Sequence, residues 1–389
     1  MPAKTASSVP PWQSYQALYI HVPFCKTRCR YCDFASEAME AGGPAAQVHM
    51  DTYVDDLVLQ LRRAAKAGEL AQLSTVYIGG GTPSYLGGRR LTELLYTLSL
   101  TLDLARIEEL TLEANPDSLT PALVRDSFAL GVDRYSLGVQ SFNDRELAAL
   151  GRPHDATQAR AAIRLIGERP ARLSIDLMCG IPEQNMTSWQ ASLAEATAPE
   201  LEVSHISVYP LELHPATPLG RAAAAGEVAL PDEDMVADML AYAADYLSRQ
   251  GFRHYEIASY AKPGQESRHN SAYWTGRPYL GLGRGAWSMR QRGLAAEVGA
   301  GTGGRTLLRE RWCDGKLQES VVGAEAVARE DAMLGLRMAQ GISVAAQPEP
   351  IRQVMSQQIA RGLVVEEDGR YRLSRRGLFM ANEVFASLL

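Results

Sequence analysis

Cys25, Cys29 and Cys32 are the residues of this 389-residue chain best suited to chemistry, three thiols in a CxxxCxxC spacing directly behind a short apolar run. Three thiolates can hold three irons of a [4Fe-4S] cubane, which normally takes four, so a closely spaced trio leaves one iron open to a non-protein ligand. A zinc ion with His21 or Asp33 as fourth donor is the alternative, although structural zinc sites usually arrive as paired CxxC units. The chain has five cysteines, an odd number that suits a cytosolic cofactor site better than a disulfide framework. Cys179 and Cys313 stand alone and read as a small buried hydrophobe and a partly covered thiol. Cys179 lies just beyond a strand end, where it could also reach the cluster as a fourth donor and close the open iron.

Other polar groups recur where apolar runs stop. Gly79-Gly80-Gly81-Thr82-Pro83 either forms a tight turn or lets backbone amides and carbonyls approach a ligand. Glu113 ends one apolar run, and a carboxylate entering a barrel mouth needs a hydrogen-bonding partner, which a ribose hydroxyl can be. Gln140 follows another run, Arg152 stands in Leu150-Gly151-Arg152-Pro153-His154 and Asp176 lies within a run; each alone reads as a cap or a surface ion pair, and together they favour a site. Tyr19 reads by itself as core packing. His269, in Arg268-His269-Asn270-Ser271-Ala272-Tyr273-Trp274, is a histidine among aromatics, more often a satisfied structural residue than a ligand. His254, His205 and His214 are lesser candidates.

These residues need a scaffold. Leu18 to Val22, Thr75 to Ile78, Glu109 to Glu113, Arg134 to Leu137, Arg172 to Met178 and Ser204 to Val208 read as strands, with amphipathic helices between them, such as Met50 to Ala67. Six strand-helix units in series imply parallel strands with right-handed crossovers, an α/β partial (β/α)6 TIM-type barrel whose site lies at the strands' C-terminal ends. Residues 1–16 read as a flexible extension, 17–225 as the barrel, 226–320 as a connecting region and 321–389 as a winged-helix-like α+β domain. In that last domain two helices, Ala324 to Met338 and Glu349 to Arg361, precede a hairpin turning at Asp368-Gly369. A winged helix invites a DNA reading, but Glu349 to Gly362 carries only Arg352 and Arg361 as cations.

Composition bounds the function. A net charge of -6 provides no field for neutralising phosphates, so nucleic acid is not the expected partner. No long apolar run or apolar leader is present, and the expected location is the cytoplasm, with any membrane contact made through an acceptor.

The segment YIHVPFCKTRCRYCDF resembles the radical S-adenosylmethionine (SAM) signature in the form shared by the oxygen-independent coproporphyrinogen oxidases and the HemW heme chaperones. The oxidases carry a further cysteine two residues after the third, where this chain has Phe34, and HYEIASYAKPGQESRHNSAYW is similar to the HemW segment containing HNxxYW. The likeness is to HemW and spans most of the chain, outside the first sixteen residues and Arg290 to Trp312. It implies a [4Fe-4S] cluster on Cys25, Cys29 and Cys32, with SAM at the open iron near Tyr19, Tyr31, Gly80, Gly81, Thr82, Glu113, Gln140, Arg152 and Asp176. It further implies heme held through His269 and passed to an acceptor, a respiratory hemoprotein being one candidate, with a homodimer allowed. The second reading is an oxidase that decarboxylates a porphyrinogen, for which Phe34 is the wrong residue.

Overall fold

The computed structural model describes residues 12–39, 43–292, 306–313 and 316–389. The reading of residues 1–11 as loose, and that of the Cys313 thiol, lie outside the described residues. The chain divides into two compact units, one of Leu18–His269 with Gly281–Ala286, the other of the described residues up to Ala17, Asn270–Leu280 and Trp287–Leu389.

In the first unit the expected strands form as β1 (Ala17–Val22), β2 (Thr75–Gly80), β3 (Glu109–Ala114), β4 (Arg134–Gln140), β5 (Arg172–Cys179) and β6 (His205–Pro210), hydrogen-bonded in that order. Strands β2 to β6 pair in parallel, with Ile78 opposite Leu112, Leu137 opposite Ile175 and Leu177 opposite Val208. Crossover helices α1 (Pro44–Lys66), α2 (Gly87–Thr101), α3 (Pro121–Ala129), α4 (Asp144–Leu150), α5 (Ala156–Gly167) and α6 (Met186–Ala196) connect them. Local sequence sets the helix ends. Pro121 stands at the start of α3 behind the Thr120 cap, Asp155 and Gln158 form a capping box on α5, and Gly151 closes α4 in a left-handed conformation.

Two departures concern how far this unit reaches. It runs past residue 225, because helix α7 (Glu233–Arg249) packs on α6, where Trp189 Nε1 donates to the Met239 carbonyl at 2.8 Å. Strands β7 (Arg253–Glu256) and β8 (Ser259–Ala261) then extend the same sheet antiparallel beyond β6.

The strands alternate in an informative way. Val76, Ile78, Leu110, Leu112, Tyr135, Leu137, Ile175 and Leu177 alternate with the residues that line the mouth and are buried. The opposite row is polar: Thr75 and Tyr77, Glu109, Thr111 and Glu113, Arg134 and Ser136, Ser174 and Asp176, His205 and Ser207. Parallel strands are normally apolar on both faces, so an inner polar face marks a barrel built to hold something.

The second unit holds an antiparallel meander, β9 (Tyr279–Leu282), β10 (Trp287–Arg292), β11 (Thr306–Cys313) and β12 (Lys316–Val322), over a small core of Met289, Leu307 and Val327. It occupies a stretch that reads in sequence mainly as a connecting region. Residues 12–16 are packed here rather than loose; Tyr15 is buried and its hydroxyl donates to Glu310 at 3.3 Å. The winged-helix outline is present as helices Ala324–Leu336 and Glu349–Ala360 and a three-stranded sheet whose hairpin turns through Asp368 and Gly369 at positive φ.

Candidate cofactor site at the barrel mouth

The loop after β1 turns back beside the end of β2, because Gly81 N–H donates to the Val22 carbonyl and Thr82 N–H to the Phe24 carbonyl, both at 2.8 Å. Glycine is required for that approach: a Cβ on Gly81 would lie 2.7 Å from the Pro23 carbonyl carbon, and one on Gly80 would meet the His21 ring at 2.4 Å. The glycine run therefore serves first to bring the cysteine loop against β2.

Cys25, Cys29 and Cys32 all line one cavity with Tyr31, Gly80, Gly81, Thr82, Glu113, Gln140, Arg152 and Asp176. Each sulfur has a polar neighbour. The Thr82 hydroxyl donates to Cys25 Sγ at 3.5 Å, Arg152 Nη1 donates to Cys29 Sγ at 3.4 Å, and Ser36 Oγ lies 3.9 Å from Cys32 Sγ. Burial pushes the Cys25 thiol up and the Thr82 hydroxyl works against that shift. Donors aimed at thiolate sulfurs are what an iron-sulfur site needs. Among the described residues, no three His, Cys, Asp or Glu side chains converge as a single zinc ion would require. A cubane, by contrast, spreads its thiolates over three irons. The donor set fits the cluster.

Cys179 lies away from this cavity. Asp176 faces the mouth, and on a strand a residue three positions on faces the other way. Cys179 is buried there, and its thiol is pushed up to about 12 by that burial. The three donors therefore stay three, and Phe34 lines the mouth while remaining 67% exposed.

The acidic groups are held firmly. Glu113 accepts from the Tyr77 hydroxyl at 2.5 Å and from Gly80 N–H at 2.9 Å, while burial pushes its carboxyl up. Asp176 is pushed up to about 7 by burial and by Glu113, against the opposing effects of Arg134, Ser207 and Arg152. Gln140 has φ 67°, a left-handed backbone rare for a side chain, at the bulge where β4 leaves β5. Such strain gathers at ligand sites. A Cβ on Gly138 would crowd Asn115 Oδ1 at 2.9 Å and Arg152 Nη2 at 3.1 Å, and Arg152 Nη2 itself donates to both the Gly138 carbonyl and Asn115.

Asn115, Ser136 and Gly138 line the cavity too and were not singled out from sequence. Their only signal was position, one step from Glu113 or on the inward row of β4. Tyr19 sits beside the site rather than in it, its hydroxyl 3.0 Å from His21 Nδ1 and its ring 6.2 Å from that of Tyr77.

His269 stands at the other end of the barrel. Its Nδ1 lies 3.0 Å from the hydroxyl of Thr75, the first residue of β2, and its N–H donates to Glu109, the first residue of β3, at 2.9 Å. The ring stacks on Tyr77, centroids 5.1 Å apart, and is 0% exposed. Burial lowers its imidazole to about 4, so it is neutral. In this arrangement the ring presents no open edge to a porphyrin, and ligation of heme iron by His269 would require this packing to open.

Comparison with known proteins agrees with this geometry. Residues 19–196 match the radical SAM superfamily and residues 323–380 the HemN C-terminal domain. The chain is 31% identical to the heme chaperone HemW of Lactococcus lactis, over 97% of this chain and 98% of that one. It is 35% identical to heme chaperone HemW of Mycobacterium tuberculosis, over 96% and 94% respectively. Among solved structures, coproporphyrinogen III oxidase of Escherichia coli, a radical SAM enzyme, superposes with TM-score 0.74 at 19% identity over 96% of this chain and 90% of that one.

Proposed function

The chain belongs to the HemW heme chaperones within the radical SAM superfamily, and from that premise we propose that it binds heme and passes it to an acceptor protein. Cys25, Cys29 and Cys32 would hold a [4Fe-4S] cluster, which supplies an iron without a protein donor for the amino and carboxylate groups of SAM and a source of one electron. The observation that carries this reading is a mouth with three thiols, the further cysteine of the oxidases being replaced by the exposed Phe34.

This chain's own residues have separable tasks. Thr82, Arg152 and Ser36 donate to, or lie beside, the three sulfurs and would orient and tune the cluster. Glu113, Gln140, Asp176 and the Gly80-Gly81 backbone offer acceptors and donors to the polar parts of SAM. Tyr31 and Phe34 supply apolar surface at its edge. His269 is the heme ligand of this proposal only if the packing around its ring opens.

The oxidase shares this fold over most of the chain, and that keeps it as the second reading. One experiment separates the two: anaerobically reconstituted protein is given heme in one arm, and coproporphyrinogen, SAM and a reductant in the other. Saturable heme uptake without vinyl product supports the chaperone, and product formation would replace it with the oxidase.

The cytoplasm is the proposed location; no helix among the described residues is long and apolar enough to cross a membrane. A respiratory hemoprotein as acceptor and a homodimer as the working form belong to the same proposal.

A further inference from the structure

We propose that Arg134 is the buried counter-ion of the SAM-binding carboxylates, a positioning residue that lets Glu113 and Asp176 carry their charges together and so receive a cationic ligand. The inference rests on the reading of the mouth as a SAM site.

Arg134 opens β4 and is only 2% exposed. It lies on the same inward row as Ser136 and Gly138, which line the mouth. The sheet register fixes its place: Arg134 is opposite Thr111 on β3, Ser136 is opposite Glu113, and Gly138 is opposite Asp176 on β5. The two carboxylates therefore stand on the strands flanking β4, one and two inward rows above Arg134. Rows on one face are about 7 Å apart, so Arg134 acts on the two carboxylates by charge across the barrel interior and not by hydrogen bonds.

The neighbouring cations are committed elsewhere. Arg172 pairs with Glu109 at 3.2 Å and Asp133 at 2.7 Å, and Arg152 donates to Cys29, Asn115 and Gly138. Glu109 is also satisfied, since its oxygens accept from the backbone N–H groups of Arg268 and His269 as well as from Arg172. Arg134 differs: its Nη1 is buried with no hydrogen-bond partner among the described residues, and the Thr111 hydroxyl beside it is in the same position. A buried guanidinium with an unpartnered nitrogen is costly, so its charge must answer other charges there.

Those charges are Glu109, whose carboxyl Arg134 helps hold below the usual range, and above it Glu113 and Asp176. Two buried carboxylates near one another cannot both ionise without a cation. The groups facing Asp176 are Glu113 from β3, Tyr77 from β2, Arg134 from β4, Ser207 and Tyr209 from β6, and Tyr31 and Arg152 from the flanking loops. Of these only Arg134 and Arg152 are positive, and Arg152 is already shared with a cluster cysteine. Asp176 is still pushed up to about 7 with Arg134 in place, so near neutral pH it is part protonated. With its amine deprotonated to ligate iron, SAM still carries a sulfonium, and its arrival favours the ionised aspartate.

The test is SAM binding to anaerobically reconstituted protein, measured by calorimetry from pH 6 to pH 8.5 in buffers of different ionisation enthalpy. Wild type should bind more tightly as pH rises through about 7 and release a proton near that midpoint. Arg134→Gln should weaken binding at neutral pH roughly tenfold and move the midpoint upward by about one unit, with Arg134→Lys restoring much of both. Asp176→Asn should release fewer protons than wild type near pH 7, keeping only the release that comes from the SAM amine. An Arg134→Gln protein with wild-type affinity and pH profile would overturn the inference. Should Arg134→Gln not fold, wild type decides: the absence of proton release, or an Asp176→Asn profile like that of wild type, overturns it. Wild type that binds no SAM at any pH overturns the SAM reading, and the inference falls with it.

Discussion

The Tyr77 hydroxyl donates a 2.5 Å hydrogen bond to Glu113, and the same ring lies on His269 with centroids 5.1 Å apart. One side chain on β2 thus touches both a carboxylate that lines the mouth and the histidine of the HNSAYW segment. Thr75, two residues earlier on the same strand, and Glu109, four residues before Glu113 on the next, hold the other sides of His269.

Tyr77→Phe removes the bond to Glu113 and leaves the stack on His269. Loss of one hydrogen bond to a buried carboxylate is worth about 1.5–3 kcal/mol, so SAM affinity should fall at least roughly tenfold. Fold stability should fall by a similar amount in thermal melts. Unchanged SAM affinity would mean that Glu113 does not contact the ligand.

Replacing Cys25, Cys29 and Cys32 together by Ala should abolish the iron-sulfur absorbance of anaerobically reconstituted protein, since together they provide the thiolates that line the mouth. Cys179→Ala should leave the absorbance in place, because that thiol lies on the far face of β5. Cluster retained in the triple variant, or lost in the single one, would contradict the assignment of donors.

For His269→Ala the expected first effect is on folding. The ring is fully buried, stacked and hydrogen-bonded, so its removal should cost about 2–4 kcal/mol in denaturant unfolding. The heme Soret shift should survive in the fraction that remains folded. A folded, stable variant that no longer binds heme would instead restore His269 as ligand, reached by an opening of the barrel floor.

Acid should unfold the protein through its buried histidines. Burial lowers His154 and His269 each to about 4. An imidazole depressed in the folded state binds its proton more readily when unfolded, so stability is complete above about pH 6.5 and falls as pH drops toward 4. The loss is on the order of 3 kcal/mol for each of the two at pH 4. His205, lowered further still by burial, adds to it. Denaturation midpoints measured at pH 7, 5.5 and 4.5 should fall in that order; a flat profile would show that these rings are hydrated or protonated in the native state.

The site was legible in sequence where chemistry is local. Three thiols within eight residues must share one loop, Gly80 and Glu113 follow or end apolar runs of strand length, and Asp176 is the one charge inside another such run. The six parallel strands and the helix caps could be read the same way, because alternation and capping are properties of neighbouring residues. The meander β9 to β12 could not, since antiparallel pairing between segments twenty residues apart is selected by tertiary packing rather than by local preference.

By itself, then, the sequence determined the donor set and its spacing, which fix the kind of cofactor the mouth can take. Only the folded chain decided what faces what. The pleat turned Cys179 away from the mouth and Arg134 into the barrel, and the path of the chain after β8 carried His269 beneath Thr75 and Glu109. Direction and burial depend on which strands become neighbours and in what register, and a one-residue slip would exchange the two faces.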